Sequence, residues 1–435
     1  MGENDQMAAR IRVGLLGCGT VGAAFARLVH DHSDLLAARV GASVEITKVA
    51  VRDVALSRDV PLPAACFTAE PESVVSDPDI DIVVEVIGGV EPAFALVTKA
   101  LEAGKPVVTA NKELIAGRGV ELFEAASISG VDLLFEASVG GGIPLIRPLR
   151  ESLAGDRISR IMGIVNGTTN YVLTRMTEEG SSFADALREA QELGYAEPDP
   201  TADIEGLDAA AKAAIIASIV FGAKVTPDDV YCEGITTITP DDITSARALG
   251  YVVKPLAVVE GADGWLAARV YPAMVPEQHP LASVRGSFNA LFVEGDAVGE
   301  LMLYGRGAGG APTASALLGD LVDAAKNLAS GGAGAPIGSL VRKEVRSIDD
   351  ATSEFYLSMD VADEPGVLAR IAGAFGEHGV SILSMRQYGK GSEARLIFVT
   401  HRAREADMRA TLRAVEELEP VKMIGSVVRV IGEDV

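Results

Sequence analysis

The chain has 435 residues, 48% of them apolar, which suits about three packed domains and excludes a disordered chain. Lys and Arg total 38 against 61 Asp and Glu, a net charge of −23; so acidic a surface repels phosphate backbones and argues against a dedicated nucleic-acid binder, while leaving room for a local basic pocket. Three scattered cysteines, Cys18, Cys66 and Cys232, suggest neither a disulfide framework nor a zinc site, the five histidines show no metal spacing, and a reducing cytosol is the expected setting.

Met1 to Arg10 is polar and lacks the apolar core of a signal peptide. Ile11 to Gly17 is a short apolar run ending in glycine, and Thr20 to His30 has helical spacing, with Val21, Phe25, Leu28 and Val29 on one side. Ser43–Val51, Asp81–Ile87, Pro106–Thr109 and Val131–Phe135 read as strands, with helical stretches at Pro92–Ala103 and Gly119–Ser127. Strands apolar on both faces, alternating with helices, predict a covered parallel sheet. After Pro148 the pattern changes to a separate α+β layer. Strands are expected at Arg157–Val165, Tyr251–Glu260, Trp265–Pro272 and Ala290–Glu294, with helices at Ala184–Leu193 and Leu207–Phe221. The apolar stretch between Lys212 and Lys224 is too short to span a bilayer and reads as a buried helix; no membrane partner is expected. A glycine-rich turn from Tyr304 opens a helix over Thr313–Leu328, expected to return to the first layer. Ser330–Gly338 (SGGAGAPIG) is a linker, and the remainder reads βαββαβ, a ferredoxin-like module. The expected division is 10–146 plus 304–330, 147–303, a linker at 331–350, and 351–435.

Gly17-Cys18-Gly19-Thr20-Val21-Gly22 is a GxGxxG loop set between a strand and a helix, the context that makes it a dinucleotide site rather than a simple tight turn. Gly17 permits the turn, Gly19 lets the backbone approach a pyrophosphate, Gly22 allows close packing, and the helix N-terminus holds the anion. The second strand ends Ala50-Val51-Arg52-Asp53. A fork from Arg52 onto a 2′-phosphate favours NADP, with NAD the alternative because Asp53 could serve a ribose hydroxyl. Lys112, after the strand ending Thr109, lies where open parallel sheets bind ligands. From Leu193 to Lys212 a proline-restricted loop with five carboxylates enters an alanine-rich helix, putting Asp208 and Lys212 four residues apart on one face. The bland reading is a surface ion pair at a helix start; the apolar run after Lys212 argues against full exposure. Glu136 to Pro144 is a glycine turn that could aim several carbonyls at a hard cation or serve merely as a crossover.

Together GLLGCGTVG, TANKEL, EASVGGGIPLI, GIVNGTTNY and LGYAEPDPTADIEGLDAAAK resemble, in order and over essentially the whole chain, the homoserine dehydrogenase family. DEPGVLARIAGAFGEHGVSI, from Asp363, resembles the first helix of an ACT domain. The likeness is to the monofunctional, ACT-containing form, with no room before Ile11 for the kinase that some relatives carry. It implies an α/β protein: a Rossmann-type nucleotide-binding domain, an α+β catalytic and dimerisation domain, and a ferredoxin-like ACT domain. It implies NAD(P)H-dependent interconversion of L-aspartate 4-semialdehyde and L-homoserine. Lys212 would be the proton donor, and Lys112 would touch cofactor and substrate. Glu197 and Asp208 would bind homoserine with Asp203, Thr168 and Tyr195 nearby, and Gly194 and Gly310 would approach the cofactor. A sodium ion would sit on the backbone carbonyls of Glu136, Val139, Gly141 and Ile143. A homodimer or homotetramer is expected, with threonine as the effector bound between paired ACT modules near Asp363–Gly366. Two rivals remain. An aspartate-semialdehyde dehydrogenase would need an activated cysteine, and none is seen. A non-catalytic amino-acid-sensing regulator would be favoured by loss of Lys212 or the Glu197/Asp208 pair, and all three are present.

Overall fold

The computed structural model describes residues 10–335, 337–338, 340–389 and 394–432; the stretch ahead of Arg10 and Pro336 of the glycine-rich linker lie outside the described residues. Strand β1 (Arg10–Leu16) runs through the glycine loop into α1 (Thr20–Asp31), and α2 (Ser33–Val40) precedes β2 (Ser43–Ala50). Next come β3 (Phe67–Thr68), α3 (Glu72–Val75), β4 (Ile82–Glu85), α4 (Ala93–Glu102), β5 (Val107–Thr109), α5 (Lys112–Ser129) and β6 (Leu133–Leu134). The six strands form one parallel sheet in the order β3-β2-β1-β4-β5-β6. The order reverses between β1 and β4, and ligands bind beyond the carboxyl ends of strands at such a reversal. Both faces are covered, which is why β4 is buried at all four positions and reads as an unbroken apolar run. The helix α2 accounts for the long interval between Gly22 and Arg52.

The second layer is antiparallel. It comprises β7 (Ile158–Ile164), α6 (Gly167–Glu179), α7 (Phe183–Glu192), α8 (Thr201–Ile204), α9 (Leu207–Phe221), β8 (Tyr231–Cys232), α10 (Pro240–Ala248), β9 (Tyr251–Ala262), β10 (Trp265–Pro276), β11 (Phe288–Gly295) and β12 (Gly299–Arg306). Helix α11 (Gly310–Ala329) then packs on α1, sharing a core in which Leu317, Leu321 and Ala324 meet Phe25 and Val29. The short strand β13 (Glu344–Val345) runs along β10. The C-terminal module is β14 (Thr352–Val361), α12 (Val367–Glu377), β15 (Ile382–Tyr388), β16 (Ala394–Thr400), β17 (Ala403–Arg404), α13 (Glu405–Glu416) and β18 (Val421–Val430). Its sheet is not separate: β18 pairs in parallel with β10 at Ala273–Arg429 and Met274–Val430, so one sheet runs β12-β11-β7-β9-β10-β18-β14-β16-β15.

Several elements differ from the sequence reading. Helix α5 starts at Lys112, well before Gly119, because Asn111 caps it by accepting the Leu114 N–H at 3.0 Å; Gly117 and Gly119 weaken the helical signal over its first turns. Tyr304 lies in β12, and the glycine-rich turn begins after Arg306, since Phe288 of β11 pairs with Arg306. Helix α6 is rich in Thr and has little apolar periodicity, so its sequence conceals it.

Lys254, on β9, is 3% exposed and donates to the Val284 carbonyl. Burial first, then the Arg285 charge, brings its ammonium down from 10.5 to about 8. The unfolded chain therefore holds this proton more tightly; the penalty on folding is complete below about pH 8 and vanishes as pH rises towards 10.5. Lys254→Met is expected to stabilise the protein by up to roughly 3 kcal/mol at neutral pH and progressively less above pH 8, measured by denaturant unfolding at several pH values. An equal gain at all pH values would contradict this origin.

Candidate active site

The glycine loop has the shape that its sequence suggests. Gly17 adopts φ +100°, and a side-chain carbon there would sit 2.8 Å from the Val86 carbonyl oxygen. At Gly22 it would run into the Gly17 carbonyl, while at Gly19 it would meet nothing within 4 Å. Two positions are thus closed by the protein's own backbone, and the third faces open space, as a phosphate-binding turn requires. Gly19 is the N-cap of α1 and makes no side-chain cap. Gly310, the first residue of α11, comes within 3.1 Å of the Thr20 carbonyl by the same measure. Two helix N-termini therefore meet at one spot, each with backbone N–H groups available to an anion. These residues fit a dinucleotide pyrophosphate. Arg52 is exposed just beyond β2. A second cation, Arg58, is oriented by the carbonyls of Asp53 (2.9 Å) and Leu56 (2.8 Å) and lies over the Phe67 ring. Burial raises the Cys18 thiol above its ordinary range, while the charges of Arg58 and Arg27 oppose the shift, which sets both guanidiniums within electrostatic reach of the loop. No motif in the sequence pointed to Arg58.

A cleft of about 250 Å³ extends from this loop past Val86, Gly88 and Asn111 to Lys112 and Lys212. The lysines come from different layers, Lys112 from the first residue of α5 and Lys212 from the second turn of α9. Both end on one carboxylate. Lys112 Nζ donates to Asp208 Oδ1, and Lys212 Nζ donates to Asp208 Oδ2 at 2.7 Å. Lys212 also donates to the Val165 carbonyl at 2.7 Å, which commits two of its three protons. Asp208 is 6% exposed; burial alone would raise its carboxyl, but the charges of Lys212 and Lys112 outweigh burial and hold it far below the ordinary range. Burial likewise opposes the charge on Lys112, and Asp208 overcomes it, leaving that amine above its usual value. The result is a trio of two cations and one anion, buried at Asp208 and Lys212 and open at Lys112, whose side chain is 38% exposed.

Of the remaining expected site residues, Asp203 is half-buried and joined to Asp208 through Asn166, whose Nδ2 donates to Asp203 Oδ1 (2.7 Å) and Asp208 Oδ2 (2.8 Å). Thr168 is buried and its hydroxyl donates to the Tyr195 carbonyl at 2.7 Å. Tyr195 packs on the Tyr171 ring. Glu197 is exposed, on a loop that Gln191 clasps through the Glu197 and Pro198 carbonyls. Gly194 has φ +74° and open space around it. Glu85 did not stand out in the sequence, and Asn166 lies within GIVNGTTNY without being singled out there. Glu85 ends β4, fully buried, and accepts from the Thr109 hydroxyl at 2.5 Å and from the backbone of Ile87 (2.7 Å) and Gly88 (3.2 Å). It thereby ties the rim of the cleft to the start of α5.

The turn after β6 is the one where the resemblance implies a cation and the residues alone also allow a crossover. Gly140 and Gly141 take φ +78° and +57° and reverse the chain. The Glu136 side chain is held inside by the N–H groups of Leu145, Ile146 (2.7 Å) and Arg147 (2.8 Å). Hydrogen bonds within the turn end on the carbonyls of Phe135, Gly140 and Arg306, which lie outside the expected set of Glu136, Val139, Gly141 and Ile143. Backbone carbonyl oxygens are the donor type that a hard cation takes. Among the described residues no cluster of His, Cys, Asp or Glu could hold a metal, and no helix is long and apolar enough to cross a membrane.

Residues 17–136 match the family described as homoserine dehydrogenase, NAD binding domain; residues 144–322 match homoserine dehydrogenase; and residues 355–420 match the ACT domain. The chain is 48% identical to the homoserine dehydrogenase of Corynebacterium glutamicum over 96% of its own length and 95% of that protein's. It superimposes on the crystal structure of a homoserine dehydrogenase from Thiobacillus denitrificans with a TM-score of 0.92 at 39% identity, covering 98% of this chain and 99% of that one. A hyperthermophilic archaeal homoserine dehydrogenase mutant, solved in complex with NADPH, matches 72% of this chain and 97% of its own at a TM-score of 0.62 and 29% identity.

Proposed function

Because the chain belongs to the homoserine dehydrogenase family and carries its NAD-binding, catalytic and ACT domains, we propose that it reduces L-aspartate 4-semialdehyde to L-homoserine reversibly with NADPH, using Lys212 and Lys112 at the carbonyl oxygen. The convergence of both ammonium groups on Asp208, at the inner end of the cleft leading from the glycine loop, is the observation that carries this reading. When bound, the nicotinamide supplies the hydride. Gly17 to Gly22 and the start of α11 hold the pyrophosphate. The substrate's α-ammonium is met by Glu197 with Asp203 and Asp208, through charge-assisted hydrogen bonds. As negative charge grows on the carbonyl oxygen, Lys112 stabilises it and Lys212 delivers the proton it has not committed to Val165 or Asp208. Thr168 and Tyr195 shape the substrate end, and Gly194 lies on its outer loop. A sodium ion on the carbonyls of Glu136, Val139, Gly141 and Ile143 would brace the turn that lines the same cleft. An absorbance assay in the nicotinamide band, with homoserine and either NADP or NAD, tests the reading; no turnover with either cofactor would refute it.

The charge at the far end of the nucleotide site supports NADP over NAD. Arg52→Ala is expected to raise the KM for NADPH by about tenfold or more while leaving that for NADH nearly unchanged, because a lost charge-assisted pair to a 2′-phosphate costs at least about 1.4 kcal/mol. Equal changes for both cofactors would remove this role. We further propose threonine as the ACT effector, acting near Asp363–Gly366, and a homodimer or homotetramer as the assembly. The three free cysteines accord with a reducing, cytosolic setting. Residues 10–146 with 304–330, 147–303 and 351–435 would be the nucleotide, catalytic and regulatory units, joined by 331–350.

A further inference from the structure

Asn166 follows β7 and is the N-cap of α6. Its Oδ1 accepts from the Thr169 N–H at 2.9 Å and the Thr169 hydroxyl at 3.0 Å, while its Nδ2 donates to Asp203 and Asp208. The amide can take only this orientation. Reversed, it would set an NH2 group against the Thr169 N–H and a carbonyl oxygen against two carboxylates. The α6 cap thus aims both amide protons at acids from α8 and α9. The residue before it, Val165, supplies the carbonyl that holds Lys212. Asp208 has three donors on its two oxygens, Lys112, Lys212 and Asn166; Asn166 is the neutral one and is 6% exposed.

We propose that Asn166 is a positioning residue for the reaction, locking the Asp208 carboxylate and through it the two lysines in line with the carbonyl oxygen. A carboxylate pulled by two flexible lysines alone could rotate; a third donor on a rigid helix start fixes its plane. By donating to both Asp203 and Asp208, the amide also offsets the repulsion between the two acids. The charged groups facing this cluster are Lys112 and Glu113 of α5, Asp203 of α8, and Asp208 and Lys212 of α9. The inference rests on the catalytic reading above.

Ser and Asp are both good N-caps, so Asn166→Ser and Asn166→Asp preserve the start of α6 while removing the amide donor. In the full chain, Asn166→Ser is expected to keep the thermal midpoint within a few degrees and both variants to keep NADPH affinity within about twofold, while Asn166→Asp, which buries a third carboxylate, is expected to lower its midpoint. Asn166→Ser is expected to lower kcat for homoserine oxidation by roughly 10- to 100-fold, the usual cost of misplacing a reacting group by about 1 Å. Asn166→Asp sets a third carboxylate against the first two and is expected also to move the pH limb of kcat/KM upwards by about one unit. A purely structural role would lower the midpoint of Asn166→Ser and leave the pH profile of Asn166→Asp in place, overturning the assignment. An active wild type with unchanged kcat in Asn166→Ser would overturn it alone; a wild type that turned over no homoserine would overturn it together with the reading on which it rests.

Discussion

Lys212→Ala is expected to lower turnover by about 10³-fold in either direction, within the range that a positioned proton donor supplies, while NADPH binds with nearly unchanged affinity. The separation follows from the geometry. Lys212 lies in the cleft with its Nζ between the Val165 carbonyl and Asp208, whereas the proposed pyrophosphate site is backbone at the starts of α1 and α11. Its side chain is only 12% exposed, so truncation leaves an enclosed polar space beside Asp208 and the Val165 carbonyl. A small primary amine could enter the space it leaves, and partial recovery of turnover by added alkylamine is a second expected result that simple misfolding would not produce. Steady-state kinetics and cofactor fluorescence together check the claim. Turnover in the variant within tenfold of wild type would assign the proton to another group, Lys112 being the nearest candidate.

Arg429→Met is expected to cost about 3–5 kcal/mol of stability, because it strips the best-buried cation from an ion cluster and leaves Glu405 with the longer Arg409 contact at 3.7 Å and Glu233 with the Tyr231 hydroxyl at 3.1 Å. Arg429 lies on β18 with its side chain 6% exposed. It grips Glu405 of α13 through Nε (3.1 Å) and Nη2 (2.6 Å), reaches Glu233 beside β8 at 2.7 Å, and stacks against the Tyr271 ring at 4.6 Å. It therefore joins the ACT module to the sheet of the catalytic layer. The same segment leads towards the active site: Ile235 N–H bonds to the Ile204 carbonyl at 2.9 Å, and Cys232 packs against Gly206, the N-cap of α9. If threonine acts through the ACT domain, its inhibition should weaken in this variant beyond what lost stability explains. Denaturant unfolding gives the first quantity, and inhibition at a temperature where the variant stays folded gives the second. Adding Glu405→Gln should recover part of the loss, as coupled neighbours do. A loss below about 1 kcal/mol would show that the cluster is solvated. The contact also bears on truncation. Removing the chain after Gly338 would strip Tyr356, Ile397 and Val428 from an apolar core shared with Met274 and Ile243, so a shortened protein would report exposed core as well as lost regulation.

The features legible in the sequence are those with a local cause. A covered parallel strand is apolar along its length, so β1 and β4 stand out; a turn between strand and helix needs glycine where φ is positive or the backbone crowds, so Gly17 and Gly22 announce themselves. The alternating periods of the C-terminal module likewise give βαββαβ in order, since each element's period depends on its own exposed and buried faces. What the tertiary structure alone decides is which distant pieces meet. Lys112 and Asp208 are 96 residues apart and share an ion pair; Asn166, unremarked in the sequence, turns out to orient Asp208; and the edge of the regulatory sheet joins β10 rather than standing free. Contacts of this kind leave no periodic trace in a single chain, because each partner's local pattern is satisfied whether or not the other is present, and only the packing of α5, α6 and α9 around one buried carboxylate brings them together.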